Sequence, residues 1–380
     1  MPQLKTVRSD RELDRFVRFP YRIYRDDPHW VAPLVGDLKR TLTPGGNPFW
    51  NHAERELYLV EDDGETLGRV AAIEDRNYNE YHESRRAFFG FFESVDDPSV
   101  SRLLLDAALA FARDRGLYEV YGPANPSMND EAGMLTGPFD MPPLVKMSYN
   151  PAYYPGLVQS AEFEKVKDLL AFRGSLLVDL PDKVRRVAEK FHAHPDIEIR
   201  PVDTGNLERD LVFIKEIYND AWSKNWDFAP MTEEEIDDLA DQLKGYIRPE
   251  LCPLVFYRGE PAGMAIGLPD YNQALIGLRG RLFPFGWLKF ILAKRKIDRV
   301  RLWALGIKRK FHRMGLGSVL YYHTFLGGQK LGCKWGEMSW ILEDNDDIIR
   351  PIKVLGGEVY KTYRVYRKSV VEKTAAPTGA

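Results

Sequence analysis

Residues 306 to 327 read GIKRKFHRMGLGSVLYYHTFLG. Two glycines two apart, Gly315 and Gly317, stand where an apolar run gives way to helical spacing, behind Lys308, Arg309, Lys310 and Arg313. A strand that ends in a glycine turn and opens a helix leaves main-chain N–H groups unpaired and aimed at one spot. The helix dipole adds positive charge there. Glycines without side chains let an anion come close to those amides. The ligand expected is a phosphate or pyrophosphate. The pattern is neither GxxxxGK(S/T) nor GxGxxG, since Ser318 and Leu320 hold the later positions. On the glycines alone, a helix start with a solvated basic face is an equal alternative.

Proton-transfer chemistry has fewer candidates. Glu337, in the strand-like KWGEMSW, is a carboxylate among apolar neighbours, a setting that raises a pKa toward base work. Alternation alone also allows it to face outward. Tyr360, Tyr363 and Tyr366 lie on an alternating final segment, and one of them, Tyr360 by preference, could supply an acid; core packing is the alternative for each. Among the seven histidines, His192 and His194 are close, but no HExxH or Cys/His set accompanies them, so no metal is expected. In the first half, Asn125, Ser127, Asn129, Asp130 and Glu131 cluster after a strand, the usual place for ligands on such sheets. Asn125, Asn129 and Glu131 are the candidates there for recognising an acceptor. A capped surface loop is the alternative.

The elements that must position these residues follow a grammar given twice. A short strand (LKTVRS), an Asp-capped helical stretch, a hairpin turning at Asp62–Gly64, an apolar strand (RAFFGFFESV), a helix ending at Gly116 and a strand (LYEVYGP) fill the first half. GPANPSMNDEAGMLTGPFDMPP is too punctuated by Pro and Gly for regular structure. The second half repeats strand, helices, hairpin (turning at Arg258-Gly259), strand, helix, strand, helix, strand. The expected divisions are 1–180, a linking helix over 181–196, a second domain over 197–370 and a disordered tail over 371–380.

His312-Arg313-Met314-Gly315-Leu316-Gly317 resembles the (Q/R)-x-x-G-x-(G/A) signature of the GCN5-related N-acetyltransferase superfamily. The resemblance implies a mixed-sheet α/β fold that binds acetyl-CoA or a longer acyl-CoA. By it, Leu305, Gly306 and Ile307 would pair with the pantetheine arm, and the main chain of residues 312 to 318, Ser318 included, would hold the pyrophosphate. His312 departs from the usual Gln or Arg. Asn345 matches the family's asparagine, whereas Ile352 stands where its thiolate-protonating tyrosine belongs. Another acid, release without an acid, or a non-catalytic binder all stay open. The first half lacks the glycines and places Asp96 and Asp97 at its helix start, where they would repel a diphosphate, so only the second half is expected to hold coenzyme A. The stretches FPYRIYRDDPHWVAPL, NPFWNHAERELYLV, FFGFFE and MSYNPAYYPGL are similar to those of a bacterial family of tandem acetyltransferase-like proteins. One branch of it is linked to N-acylation of sphingoid bases. That implies two tandem acyltransferase-like domains, the first degenerate, with an amine as acceptor.

Bulk properties fit an enzyme of this kind. The 380 residues are 44% hydrophobic and 29% charged, with net charge −3, which gives no reason to expect a nucleic-acid partner. Two distant cysteines, Cys252 and Cys333, and no leader suggest a reduced, cytoplasmic setting. Residues 278–301, LRGRLFPFGWLKFILAKRKIDRVR, set Phe, Trp, Leu and Ile among eight basic residues and one acid, Asp298. The segment could lie on the inner face of a membrane, cover an acyl chain, or simply pack.

Overall fold

The computed structural model describes residues 1–370. In chain order the elements are β1 (Gln3–Thr6), α1 (Asp10–Arg18), α2 (Pro20–Ile23), α3 (Val35–Leu42), β2 (Ala53–Asp62), β3 (Glu65–Asp75), α4 (Arg76–Tyr81) and β4 (Arg86–Ser94). Then come α5 (Pro98–Asp114), β5 (Glu119–Gly122), β6 (Ala124–Asn125), β7 (Glu131–Ala132), β8 (Met134–Gly137), α6 (Tyr154–Ser160) and β9 (Glu164–Ser175). The remainder is α7 (Asp182–His192), β10 (Ile197–Pro201), α8 (Leu207–Trp222), α9 (Glu233–Leu243), β11 (Pro253–Tyr257), β12 (Glu260–Pro269), α10 (Asn272–Leu275), α11 (Gly286–Lys294), β13 (Arg299–Ile307), α12 (Leu316–Lys330), β14 (Trp335–Leu342), α13 (Asp346–Val354) and β15 (Glu358–Ser369).

The chain forms two compact units. One is Met1–Asp168 with residues 362–370, and the other is Leu169–Lys361. In the first, strands pair in the order β1-β2-β3-β4-β5-β15; in the second, β10-β11-β12-β13-β14-β9. The orders match strand for strand. In each, one adjacent pair is parallel, β4–β5 and β13–β14. This division cuts across the boundaries expected from sequence, because each half's closing strand serves the other unit: β9 pairs with β14, and β15 with β5 and β8. The expected tail, 371–380, lies outside the described residues.

Local chemistry accounts for most elements. Both hairpins turn on two positive-φ residues, Asp63-Gly64 (46° and 81°) and Arg258-Gly259 (52° and 77°), the pair of left-handed conformers that a two-residue hairpin loop needs. The first helix is capped by Ser9, not by Asp10: Ser9 Oγ accepts from Glu12 N–H, and the Glu12 carboxylate accepts from Ser9 N–H in return. In α5, Val100, Leu104, Leu105, Ala108, Phe111 and Ala112 are buried at helical spacing against Val60, Val70 and Phe89. In α12, Leu316, Val319 and Leu320 do the same against Val255, Ala262 and Ala265. The Pro- and Gly-rich run after β5, expected to be irregular, instead contains β6, β7 and β8, because β8 finds a partner in the distant β15.

Candidate active site

β13 and β14 pair through four positions, Arg299↔Trp335 to Leu302↔Met338, and then part. β14 goes on to pair with β9 through Ile341↔Leu170 and Leu342↔Leu169. β13 goes on to Ile307 with β12 alone as partner, through Gly263↔Ile307. A slot therefore opens along β13 from Trp303 onward, on the side where β14 has left. At its end the chain passes through a 3₁₀ turn (Arg309–Met314) to Gly315, at φ 78°, and into α12. The N–H groups of Gly315, Leu316 and Gly317 have no acceptor among the described residues, and no side chain caps the helix. A Cβ on Gly317 would meet only Ile307 Cδ1, at 3.4 Å, so the space before its amide is open. Gly315 has equal room, but its positive φ excludes most side chains.

The side chains of Leu305, Ile307, Met314 and Leu316 pack into the cluster beneath α12, so only their main chain is offered to a ligand. Ser318 is exposed and donates its N–H to Gly315 O at 3.1 Å. His312 Nε2 lies 2.8 Å from Ile307 O, and since a carbonyl only accepts, Nε2 carries the proton and tethers the turn to the strand. The basic residues differ from expectation. Lys308 is buried and paired with Glu216 and with Glu260 at 3.2 Å. Lys310 pairs with Glu260, and Arg309 with Asp220 at 3.6 Å. Only Arg313 of the four is exposed without a carboxylate partner among the described residues. Those acids lie far away in sequence, so the local basic run overstates the charge left for a ligand. Asn345 stands before α13; its carbonyl accepts from Ile349 N–H at 2.9 Å, and its side chain makes no cap. Ile352 is core, packed with Phe172, Met338 and Ile349.

Glu337 and Tyr360 come together. Glu337 is fully buried, directly across from Arg301 in the β13–β14 register. Its Oε1 accepts from Ser339 Oγ at 2.5 Å and its Oε2 from the Tyr360 hydroxyl. Arg301 Nε lies 3.6 Å from Glu337 Oε1 and donates to Ser339 Oγ at 3.0 Å. Arg301 and Ser339 were missed from sequence. The signal for Ser339 is its place two residues beyond Glu337, on the same strand face. In sequence Arg301 falls within the basic insertion, whereas the structure places it on β13.

The first unit's candidates are differently engaged. β4 and β5 also part, after Phe88↔Tyr121, but β6 fills the gap. Asn125 Oδ1 accepts from Phe91 N–H at 2.6 Å, and a Cβ on Gly90 would lie 1.8 Å from Ala124 O. Asn125 faces Glu131 across the β6–β7 pair. Asn129 N–H donates to Ser127 Oγ at 3.2 Å, and Ser127 Oγ to Asp130 at 2.7 Å. Asp97 caps α5 through Ser99 N–H, and hydrogen bonds from Ser99 hold its carboxyl below the usual range. It occupies the place that Gly315 has before α12.

No family model matches the chain. Among curated proteins, it is 35% identical over 371 residues to the "Bacterial ceramide synthase" of Caulobacter vibrioides, covering 96% of each. It is 29% identical over 384 residues to "Protein YghO" of Escherichia coli, covering 97% of this chain and 95% of that protein. Among solved structures, a tandem GNAT protein from the clavulanic acid biosynthesis pathway superposes with TM-score 0.59 at 11% identity, over 98% of this chain and 100% of that one. A GCN5-related N-acetyltransferase from Sphaerobacter thermophilus gives 0.53 at 14% identity, over 98% and 96%. Strand order, the parted parallel strands and near-complete alignment thus agree: the fold is a tandem GCN5-related N-acetyltransferase fold, and the chain belongs to the family of the bacterial ceramide synthase of C. vibrioides.

Proposed function

We propose that the second unit transfers an acyl group from a coenzyme A thioester to the amine of a long-chain, sphingoid-type base. The observation that carries this reading is the slot between β13 and β14, which leads to three unpaired amides at the start of α12. Gly315, Leu316 and Gly317 would hold the pyrophosphate, with Arg313 adjacent, and the free edge of β13 at Leu305 to Ile307 would hold the pantetheine amides. The lipid acceptor is supported by the 35% identical relative, a bacterial ceramide synthase.

Attack of the amine on the thioester carbonyl leaves one proton too many on nitrogen and one too few on the departing sulfur. Tyr360 and Glu337 can carry that proton. The tyrosine hydroxyl takes it from nitrogen while giving its own to the Glu337 carboxylate, and the reverse transfer delivers it to the thiolate. Arg301 and Ser339 are positioning residues that hold the carboxylate in register. This pair fills the role left vacant by Ile352. A second reading, an acyl-CoA binder without catalysis, is favoured by Ile352 itself, whose side chain is enclosed in the core.

Thiol release from palmitoyl-CoA and acetyl-CoA, measured with a long-chain base and with short amines, separates the readings. Release with palmitoyl-CoA and the long-chain base supports the proposal. Tight acyl-CoA binding with no release on any amine supports the binder, and release only with acetyl-CoA and short amines overturns the lipid acceptor.

A further inference from the structure

Residues 271 to 299 present a surface to which the proposed acyl transfer assigns no role. No helix among the described residues is long and apolar enough to cross a membrane. Yet α11 buries none of its own residues. One side of it lies against the rest of the unit through Phe290, stacked on Tyr271 at 6.3 Å between ring centroids. Elsewhere Trp287, Leu288, Ile291 and Leu292 recur at i, i+1, i+4, i+5 spacing and are 44–54% exposed. Phe283 and Phe285, 83% and 69% exposed, extend the patch from the preceding loop. Exposed Arg279, Arg281, Lys289, Arg295 and Lys296 rim it. The lone acid of the segment, Asp298, is already engaged by Lys334 at 2.9 Å and Gln273 at 2.8 Å.

A cluster of donors, one buried and two half-buried, lies beside α11. Tyr271 is 1% exposed, and its hydroxyl has no hydrogen-bond partner among the described residues. Lys294 Nζ is 5.2 Å from the Tyr271 ring centroid. Burial, and then the neighbouring positive charge of Arg248, hold the Lys294 ammonium below its ordinary pKa. Neither Arg248 nor Lys294 has a carboxylate partner among the described residues. Two cations and a hydroxyl gathered without an acceptor make a seat for an anion.

We propose that α11 and the loop before it dock this chain on an anionic bilayer, the apolar patch entering the interface and Arg248, Lys294 and Tyr271 taking a lipid phosphate. Charge selects the occupant. A second copy of the chain would set basic rim against basic rim, whereas an anionic leaflet complements it. Apolar side chains of this kind, tryptophan among them, are what interfacial helices bury at the headgroup boundary. The inference does not depend on the acyl-transfer reading.

Co-sedimentation of the full chain with vesicles tests it, without acyl-CoA or an amine. Phosphatidylcholine vesicles are compared with vesicles that also contain phosphatidylglycerol. The wild type is expected to partition at least about tenfold better onto the anionic vesicles, with the preference shrinking in salt. Trp287→Ser with Leu288→Ser, both at exposed positions, should lower that partitioning about tenfold or more. Arg248→Gln with Lys294→Gln should lower partitioning onto the anionic vesicles severalfold, the basic rim keeping the rest of the preference, as read against unchanged thermal unfolding. Equal partitioning onto neutral vesicles, no partitioning at all, or a wild-type dimer that the Trp287/Leu288 variant dissolves would each overturn the proposal. Because no thioester is present, a negative result here leaves the acyl-transfer assay free to succeed, and the converse also holds.

Discussion

In the first unit β4 and β5 pair over three positions before parting; in the second, β13 and β14 pair over four. Beyond that point the two units diverge. β6 occupies the first gap, locked by Asn125 to the Phe91 amide and pressed against Gly90, while no strand among the described residues pairs with β13 across the second gap. At the head of the following helix, one unit has a carboxylate, Asp97, accepting from the first turn, and the other has Gly315 and open amides. A gap between the parted strands can thus be closed without losing the fold. Two residues of strand and one capping acid turn the same architecture into a closed scaffold.

The comparison is sharpened most by two glutamates, the buried Glu337 on β14 and the half-buried Glu93 on β4. Glu337→Gln should lower kcat by roughly 10²–10⁴-fold, the range for removing a positioned acid or base, and Tyr360→Phe by a similar factor. Glu93→Gln, in the network with Tyr24, Tyr154 and Arg69, should leave kcat within about twofold, since structural substitutions far from the chemistry act on stability. Equal losses from both would break the assignment of chemistry to the second unit alone. Next in size, Gly317→Glu should weaken acyl-CoA binding by about a hundredfold or more in calorimetry, because it sets a carboxylate against a diphosphate. Ser99→Glu, at the matching turn of α5, should change affinity very little.

Smaller effects concern stability. Gly90→Ala must displace the Ala124 carbonyl and should cost about 1–3 kcal/mol in chemical denaturation. Gly317→Ala meets only an ordinary contact and should be neutral or stabilise by up to about 1 kcal/mol, as a helical glycine replaced by alanine does. Opposite signs for two Gly→Ala changes are the mark of a filled and an open slot. The last prediction is a pH dependence.

Burial raises the Asp210 pKa, but hydrogen bonds from Arg200, at 2.7 and 2.8 Å, the Asp203 amide and Arg209 outweigh it and hold the group at about 2. A depressed carboxyl stabilises the fold above its unfolded pKa and ceases to as pH falls through the folded one. The deficit of Asp210→Asn relative to wild type should therefore shrink from about pH 4 down to about pH 2. Glu93 runs the other way. Burial raises its pKa despite Arg69, Tyr154 and Tyr24, so its stabilising contribution is complete below the ordinary glutamate pKa and fades as pH rises. Denaturation curves of Glu93→Gln should show the wild-type advantage declining with pH.

Much of this fold is legible in the sequence, and so is part of the site. The hairpins, α5, α12 and the glycine turn rest on local rules, turn residues and helical spacing that a short window contains. Glu337 and Tyr360 are separate candidates in the sequence, and their hydrogen bond joins them. What local reading could not supply is long-range pairing. Lys308 and Lys310 look free until Glu216 and Glu260 meet them, and Asn125 looks like a ligand donor until Phe91 turns its amide toward it. The short strands after β5 were invisible because β8 is ordered by β15, more than two hundred residues on.

That exchange of closing strands has a consequence for synthesis. The amino-terminal half leaves the ribosome with the outer edge of β5 bare, and the strand that covers it, β15, is translated more than two hundred residues later. An exposed strand edge invites pairing with foreign chains. Maturation of the first half must therefore wait for the second, and expressing either half alone should yield aggregation-prone fragments rather than autonomous domains.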